Sequence, residues 1–201
     1  MGTNRKIVAI NGSYRQDGVT DCLVDTLTAA LEQRGVTVAR IDLRDTRIEF
    51  CRNCRECMQQ AGDAPGHCVI RDDMTEVIEA LEAADAYVFA APTNFGSATA
   101  VFKRFMERLA PYGYWPWGAK APKFRRAKFA KKPAVLVSSS AAPSILGRLA
   151  YATLRELRTA SKTIGAKPVG TLYAGLVSDS ADAKPSPRSL RRAERLAHRL
   201  A

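Results

Sequence analysis

The chain is poor in histidine: two occur in 201 residues, His67 and His198. With no G-x-S-x-G elbow either, there is little from which to build a hydrolase triad. The longest apolar stretch, around Ala86 to Ala91, falls far short of the ~20 residues that a membrane-spanning helix needs. Residues 1–15 lack the apolar core of a secretory signal, so a cytoplasmic protein is expected. Internal repeats, low-complexity linkers and a second core are missing, which leaves a single domain over residues 1–201. A hydrophobic content of 46% with 25% charged residues argues against disorder or a coiled coil.

Acidic side chains are in deficit, 20 against 31 basic ones, for a net charge of +11. Such a balance ordinarily suggests nucleic acid or an anionic surface. Its distribution points elsewhere. Residues 1–118 carry a net −3, residues 119–132 a net +7, residues 133–183 a net +2 and residues 184–201 a net +5. A charge-driven nucleic-acid binder lays its cations along the main recognition element. Here they fill one loop and one terminal helix, so neither nucleic acid nor membrane is expected as a partner. A basic binding module stands as the third reading of function.

Hydrophobic patterning supplies the elements. Lys6 to Ile10 is an apolar run suited to a strand buried on both faces. A helix from about Val19 to Arg34 carries Leu23, Leu27 and Leu31 on one face and closes at Gly35. Residues 36–43 read as a second strand, 86–91 as a third, 134–138 as a fourth and 169–174 as a fifth. Residues 44–72 show no period, and four of the five cysteines lie there; an aperiodic insertion of that length tends to be functional. Asp73 with Glu76 predicts a capping box for a helix that turns Met74, Val77, Ile78 and Leu81 inward. Further helices are expected around 98–109, over 144–164, and from Pro187 onward with Ser186 as cap. Strands alternating with helices predict an α/β domain, a doubly wound five-stranded parallel sheet with helices on both faces, and one common arrangement of such a sheet has the strand order 2-1-3-4-5.

In such a sheet ligands sit beyond the carboxyl ends of the strands, where the strand order reverses. The two loops meeting there, 11–20 and 92–97, are rich in Gly, Ser and Asn. The first has neither the G-x-G-x-x-G of a dinucleotide turn nor the Gly-Lys-Ser/Thr of a P-loop. It offers hydroxyls (Ser13, Thr20), glycines and a fixed cation (Arg15) beside a helix N-terminus, which together make a cradle for a phosphate dianion.

The segment G-S-Y-R-Q-D-G-V-T (12–20) resembles the phosphate loop of the NAD(P)H-dependent FMN reductase and iron–sulfur flavoprotein families, whose fold is flavodoxin-like. The loop P-T-N-F-G-S (92–97) resembles their flavin-ring loop, and the order of cysteine cluster, C-V-I-x-D-D-M (68–74) and that loop is also theirs. The resemblance runs from about residue 5 to 109. It implies that Ser13, Arg15, Gly18, Val19 and Thr20 hold the phosphate of FMN. It implies that Pro92, Thr93, Asn94, Phe95, Gly96 and Ser97 lie along the isoalloxazine, with Ser139, in the Ser138–Ala141 turn, in a third flavin loop. Two positions depart from the family pattern: Tyr14 stands where proline is common, and Asn94 where an aromatic is.

Cys51, Cys54, Cys57 and Cys68 form C-x2-C-x2-C-x10-C. The first three have the spacing that wraps thiolates around an iron–sulfur cluster, which a more distant cysteine then closes. Iron–sulfur flavoproteins bind [4Fe-4S] through a similar motif with a shorter last gap, whereas relatives without a cluster keep free or redox-active thiols here. Zinc, with His67 as an optional ligand, is the third alternative, although its usual spacing is two separated pairs. A structural disulfide is disfavoured by the cytosolic setting. Cys22 reads as a small core residue, and the acidic residues as a solvated face.

The aromatic run 112–117 is suited to covering a flavin, lining a subunit contact or packing on the body of the protein. The basic segment that follows, with Lys123, Arg125, Arg126 and Lys128, is a candidate receiver for the phosphates of NAD(P)H. The leading expectation is an NAD(P)H-dependent FMN oxidoreductase that passes electrons to a quinone, aromatic, metal or flavin acceptor. The second is an electron carrier with an iron–sulfur cluster on the four cysteines and a protein partner. By family analogy the chain is expected to form a homodimer or homotetramer.

Overall fold

The computed structural model describes residues 5–129, 131–180 and 182–201. Residues 1–4, where the leader expectation begins, and Ala130, in the basic segment, lie outside them. The strands are β1 (Lys6–Asn11), β2 (Thr37–Asp42), β3 (Ala86–Ala90), β4 (Thr93–Asn94), β5 (Ser97–Ala98), β6 (Gly113–Tyr114), β7 (Lys123–Phe124), β8 (Lys132–Ser139) and β9 (Ala166–Ala174). The helices are α1 (Val19–Glu32), α2 (Met74–Ala83), α3 (Ala100–Glu107), α4 (Ser144–Ala150), α5 (Thr153–Thr163) and α6 (Pro187–Ala197). The main sheet has five strands in the order β2-β1-β3-β8-β9, all pairs parallel, which is the predicted 2-1-3-4-5 order.

Strand periodicity divides the core. In β1, Val8 and Ile10 face one layer while Ile7 and Ala9 face the other. The first layer packs Met74, Val77 and Leu81 of α2, Phe102 and Phe105 of α3, and Leu154 and Leu157 of α5. The second packs Leu23, Leu27 and Leu31 of α1 against Ala193, Leu196 and Leu200 at the C-terminal end. Each such leucine is fully or nearly fully buried, stabilising the fold by roughly 1.5–3 kcal/mol. The terminal basic helix therefore has a packing role on its inner face. On the outer side, Arg192 and Arg199 donate to the carbonyls of Thr171 and Val169 on edge strand β9, which blunts that edge.

Three expectations are corrected. The helix predicted over 144–164 is two helices, broken at Tyr151–Ala152, where the Ala152 amide leaves the helical ladder to donate to the Gly96 carbonyl at 2.7 Å. Asp73 does not cap α2 with its side chain. Its carboxylate accepts from the Arg47 amide, and Asp72 accepts from the Met74 amide instead. Cys22 is half-exposed on α1 and its Sγ donates to the Asp17 carbonyl, so its side chain faces the first loop and not the core.

Candidate functional site

At the carboxyl ends of β1, β3 and β8 lies a cleft of about 270 Å³. Ser13, Arg15, Gly18, Val19, Thr20, Pro92, Thr93, Asn94 and Ser139 line it, joined by Tyr14, Thr99, Ser140, Ala141, Val177 and Ser178. Loops distant in sequence are stitched together beneath it. The Gly12 amide donates to the Ala90 carbonyl, the Thr99 hydroxyl donates to the Gly12 carbonyl at 2.6 Å, and the Thr20 and Ser139 hydroxyls share a bond of 2.7 Å. Helix α1 starts at the cleft with Gly18 as N-cap, and no side chain caps it. Its first-turn amides and the positive end of its dipole are thus offered to a ligand.

A polar network behind the loop sets its shape. Asn11 donates to Asp21 at 2.6 Å and to Asp42 at 2.7 Å, while its own side-chain oxygen accepts from the Ser13 amide. Asp21 also accepts from the Asp17 amide at 2.9 Å. Arg40 reaches Asp21, Asp25 and Asp42, and Arg44 reaches Asp21 and Asp45. Burial opposes the Asp21 carboxylate, yet the Asp17 amide and the Arg44 and Arg40 guanidiniums outweigh it and hold its pKa below the ordinary value. The one carboxylate in the first turn of α1 is thereby neutralised and competes little with an anion at the same helix end.

Phe95, Gly96 and Ser97 do not line the cleft; they form the hairpin β4–β5 above its rim. Phe95 and Gly96 have φ of 48° and 74°, a two-residue turn of the I′ kind. Gly96 takes that conformation readily, whereas Phe95 is strained there and its side chain stands fully exposed. Glu156 of α5 anchors the hairpin, accepting from the Ser97 hydroxyl at 3.0 Å and the Ala98 amide at 2.7 Å. Thr93 is fixed by the hydroxyls of Thr153 and Tyr173. Glu156, like Asp21, is therefore structural, not part of a solvated face. Its partners lie 58 and 59 residues away, a spacing that no local period reveals.

The second site is the cysteine segment. Cys51, Cys54, Cys57 and Cys68 line one small cavity of about 30 Å³ together with Arg55 and Arg108. Asn53 and Arg55 have φ of 52° and 61°, so the chain curls between successive cysteines. The Asn53 amide donates to Cys51 Sγ at 3.4 Å, and Arg108 Nη2 to Cys68 Sγ at 3.6 Å. Burial, reinforced by the neighbouring cysteines, pushes the Cys57 thiol up to about 11. Among the described residues no three His, Cys, Asp or Glu side chains are placed to hold a single metal ion. The donor set, thiols and N–H···S contacts without a carboxylate, suits a thiolate-ligated cluster. The present space is about that of one water, so a cluster would need a wider cavity between the four sulfurs.

What organises this segment is the aromatic and basic loop. The Arg55 guanidinium lies 3.8 Å from the ring centre of Trp115 and 4.4 Å from that of Trp117, a cation–π sandwich. Arg125, buried, donates to the carbonyls of Pro111, Gly113, Gly62, Cys57 and Gln60. Gly66 packs so tightly on the Cys57 carbonyl that an added Cβ would lie 1.8 Å from its oxygen. Arg126 pairs with Glu82. The expectation that Arg125 receives nicotinamide phosphates is thus corrected, since its guanidinium is spent on carbonyls inside the protein, while Arg126 is engaged by the Glu82 carboxylate. Composition marked the loop as basic, but only the fold shows that Arg125 faces carbonyls and Arg126 a carboxylate.

A doubly wound parallel sheet with a glycine-capped helix N-terminus at its switch point defines the flavodoxin-like class. The NADPH-dependent FMN reductase family model matches residues 5–178, and the chain belongs to that family, one of FMN-dependent oxidoreductases. Curated relatives include an iron–sulfur flavoprotein of Archaeoglobus fulgidus, 35% identical over 55% of this chain and 48% of the relative, and one of Methanocaldococcus jannaschii, 31% identical over 53% and 52%. The chain spans about half the length of the curated relatives it matches. Among solved structures, an NAD(P)H:quinone oxidoreductase from Methanothermobacter marburgensis covers 99% of this chain and 100% of its own at 20% identity and a TM-score of 0.71. An FMN-dependent NADH-azoreductase from Bacillus anthracis, in complex with FMN, covers 98% and 99% at 13% identity and a TM-score of 0.69. These likenesses show the fold. No helix among the described residues is long and apolar enough to cross a membrane.

Proposed function

We propose that the protein is an NAD(P)H-dependent FMN oxidoreductase whose flavin sits in the cleft at the ends of β1, β3 and β8. The observation that carries this reading is the uncapped start of α1 at Gly18, set among Ser13, Arg15, Thr20 and Ser139. Amides, hydroxyls and a cation hold a phosphate dianion there, with Asp21 neutralised behind them. FMN, when bound, supplies the hydride and electron chemistry. The chain positions it: Pro92, Thr93 and Asn94 form one wall of the cleft, and the hairpin Phe95–Gly96–Ser97 rises over the ring edge. Backbone amides of that wall favour negative charge on a reduced ring, as an oxyanion site does. No side chain is assigned as acid or base. The acceptor is a small molecule such as a quinone, aromatic compound, metal ion or flavin.

At about 270 Å³ the cleft falls below the usual 300–1,000 Å³ of ligand pockets. Ile145, Leu146 and Leu149 of α4, with Phe95 and Leu176, are exposed apolar side chains on neighbouring segments. A second copy of the chain covering them completes the site in a homodimer or homotetramer of a cytoplasmic protein. A second reading adds a [4Fe-4S] cluster on Cys51, Cys54, Cys57 and Cys68, favoured by the four sulfurs lining one cavity.

Anaerobic purification, a visible spectrum and assays of FMN, iron and sulfide on one sample test both readings. Bound FMN bleached by NADPH is expected. Absence of flavin affinity would overturn the first reading, and absence of iron and sulfide the second.

A further inference from the structure

Cys68 stands apart from the other three cysteines in sequence but lines the same cavity, and one side chain, that of Arg108, holds it there. The side chain of Arg108 is 2% exposed and that of Asp72 is fully buried. The guanidinium grips the carboxylate with Nη1 at 2.5 Å and Nη2 at 3.0 Å, and Nη1 also donates to the Glu49 carbonyl at 2.8 Å. The carboxylate is itself held by the amides of Glu49 and Met74. With the fork fixed in this way, Nη2 points an N–H at Cys68 Sγ, 3.6 Å away. Behind that sulfur, Cys68 and Arg108 form part of the wall of a cavity of about 540 Å³ with Met74 and Ile78 on α2. A lysine could pair with Asp72, but only the planar guanidinium can grip a carboxylate and aim a further N–H elsewhere.

We propose that Arg108 is the positioning residue of the cysteine site: it orients Cys68 and, through its N–H···S contact, makes a cluster ligated there easier to reduce. The inference rests on the cluster reading given above. Adding one electron from a reductant increases negative charge on the ligating sulfurs, so a donor to one of them stabilises the reduced state more than the oxidised one. No proton or bond changes hands in the step.

The test is an EPR-monitored potentiometric titration of the anaerobically purified holoprotein with dithionite as reductant. Wild type is compared with Arg108→Lys and with the double variant Arg108→Gln/Asp72→Asn, which keeps the buried pair neutral so that folding survives. Circular dichroism and iron content are measured on each. The expected result is a shift of the reduction equilibrium toward the oxidised state by at least about tenfold in both variants, equivalent to 59 mV for one electron. A wild-type cluster whose potential is unmoved in both variants would overturn the inference alone. Wild type without iron and sulfide would overturn the cluster reading and the inference with it, and the iron assay separates the two outcomes.

Discussion

The two sites of this molecule are built by opposite means. The cleft at the strand ends is made of backbone: a helix start, three turns after parallel strands, and hydroxyls that bridge them, such as Thr20 with Ser139. Apart from Arg15 in its lining, its charges lie behind it, in the Asp21, Arg40 and Arg44 network. The cysteine segment has almost no regular structure beyond a three-residue 3₁₀ turn at Glu56–Met58. It takes its shape from three arginine side chains across sequence separations of up to 68 residues: Arg108 and Arg125 reach into it, and its own Arg55 reaches out to Trp115. A site of the first kind inherits its stability from the sheet. A site of the second kind depends on a few buried cations, so single substitutions should separate the two.

The largest effect is expected at Asp72. Asp72→Asn leaves the buried Arg108 without its counter-charge, which costs roughly 3–5 kcal/mol of stability in chemical denaturation near neutral pH. The same pair gives a pH signature. Burial opposes the Asp72 carboxylate, but Arg108 and the Glu49 and Met74 amides hold its folded pKa below the ordinary value. A depressed folded pKa contributes stability that is full above the unfolded value of about 3.9 and is lost as pH falls through the folded one. Denaturation curves from pH 7 down to pH 3 should therefore show a steeper acid limb in wild type than in Asp72→Asn.

Arg125→Met comes next. It strips a charged donor from five carbonyls, three of them in the cysteine segment, and the expected loss is roughly 2–3 kcal/mol. Hydrogen exchange should show residues 57–66 losing protection while β1 and β3 keep theirs. Loss of protection across both regions would mean that the sites are not built separately.

The smallest effect is expected at Lys123 and Lys128, exposed residues of the same loop. With Arg125 turned inward and Arg126 paired with Glu82, Lys123→Gln/Lys128→Gln should change the KM for NADPH less than about twofold, since isolated surface charges contribute little. A tenfold rise in steady-state assays would return the loop to the role its composition suggested.

The same contrast explains what could be read from the chain. Leu23, Leu27 and Leu31, the run from Lys6 to Ile10 and the loop from Gly12 to Thr20 are local patterns, and each corresponds to an element or turn of the structure. The strand order came from the known doubly wound arrangement such patterns adopt, and the sheet has it. The pairs Asp72 with Arg108, Glu156 with Ser97 and Arg55 with Trp115 lie 36, 59 and 60 residues apart in sequence, and polar partners carry no periodicity. Asp73 showed the pattern of a cap, but its neighbour Asp72 took the helix amide because Asp73 was drawn to Arg47. The break at Tyr151 has a similar origin, in a bond from Ala152 to a loop more than fifty residues earlier.

The central claim is that the start of α1 holds the phosphate of FMN. Fluorescence titration of the flavin-free protein with FMN and, in parallel, with riboflavin tests it directly. Two or more charge-assisted bonds to the phosphate, about 3 kcal/mol together, predict that FMN binds about 100-fold tighter than riboflavin. Thr20→Val should narrow that ratio without changing the riboflavin affinity. Equal affinities for FMN and riboflavin in the wild-type protein would contradict the account.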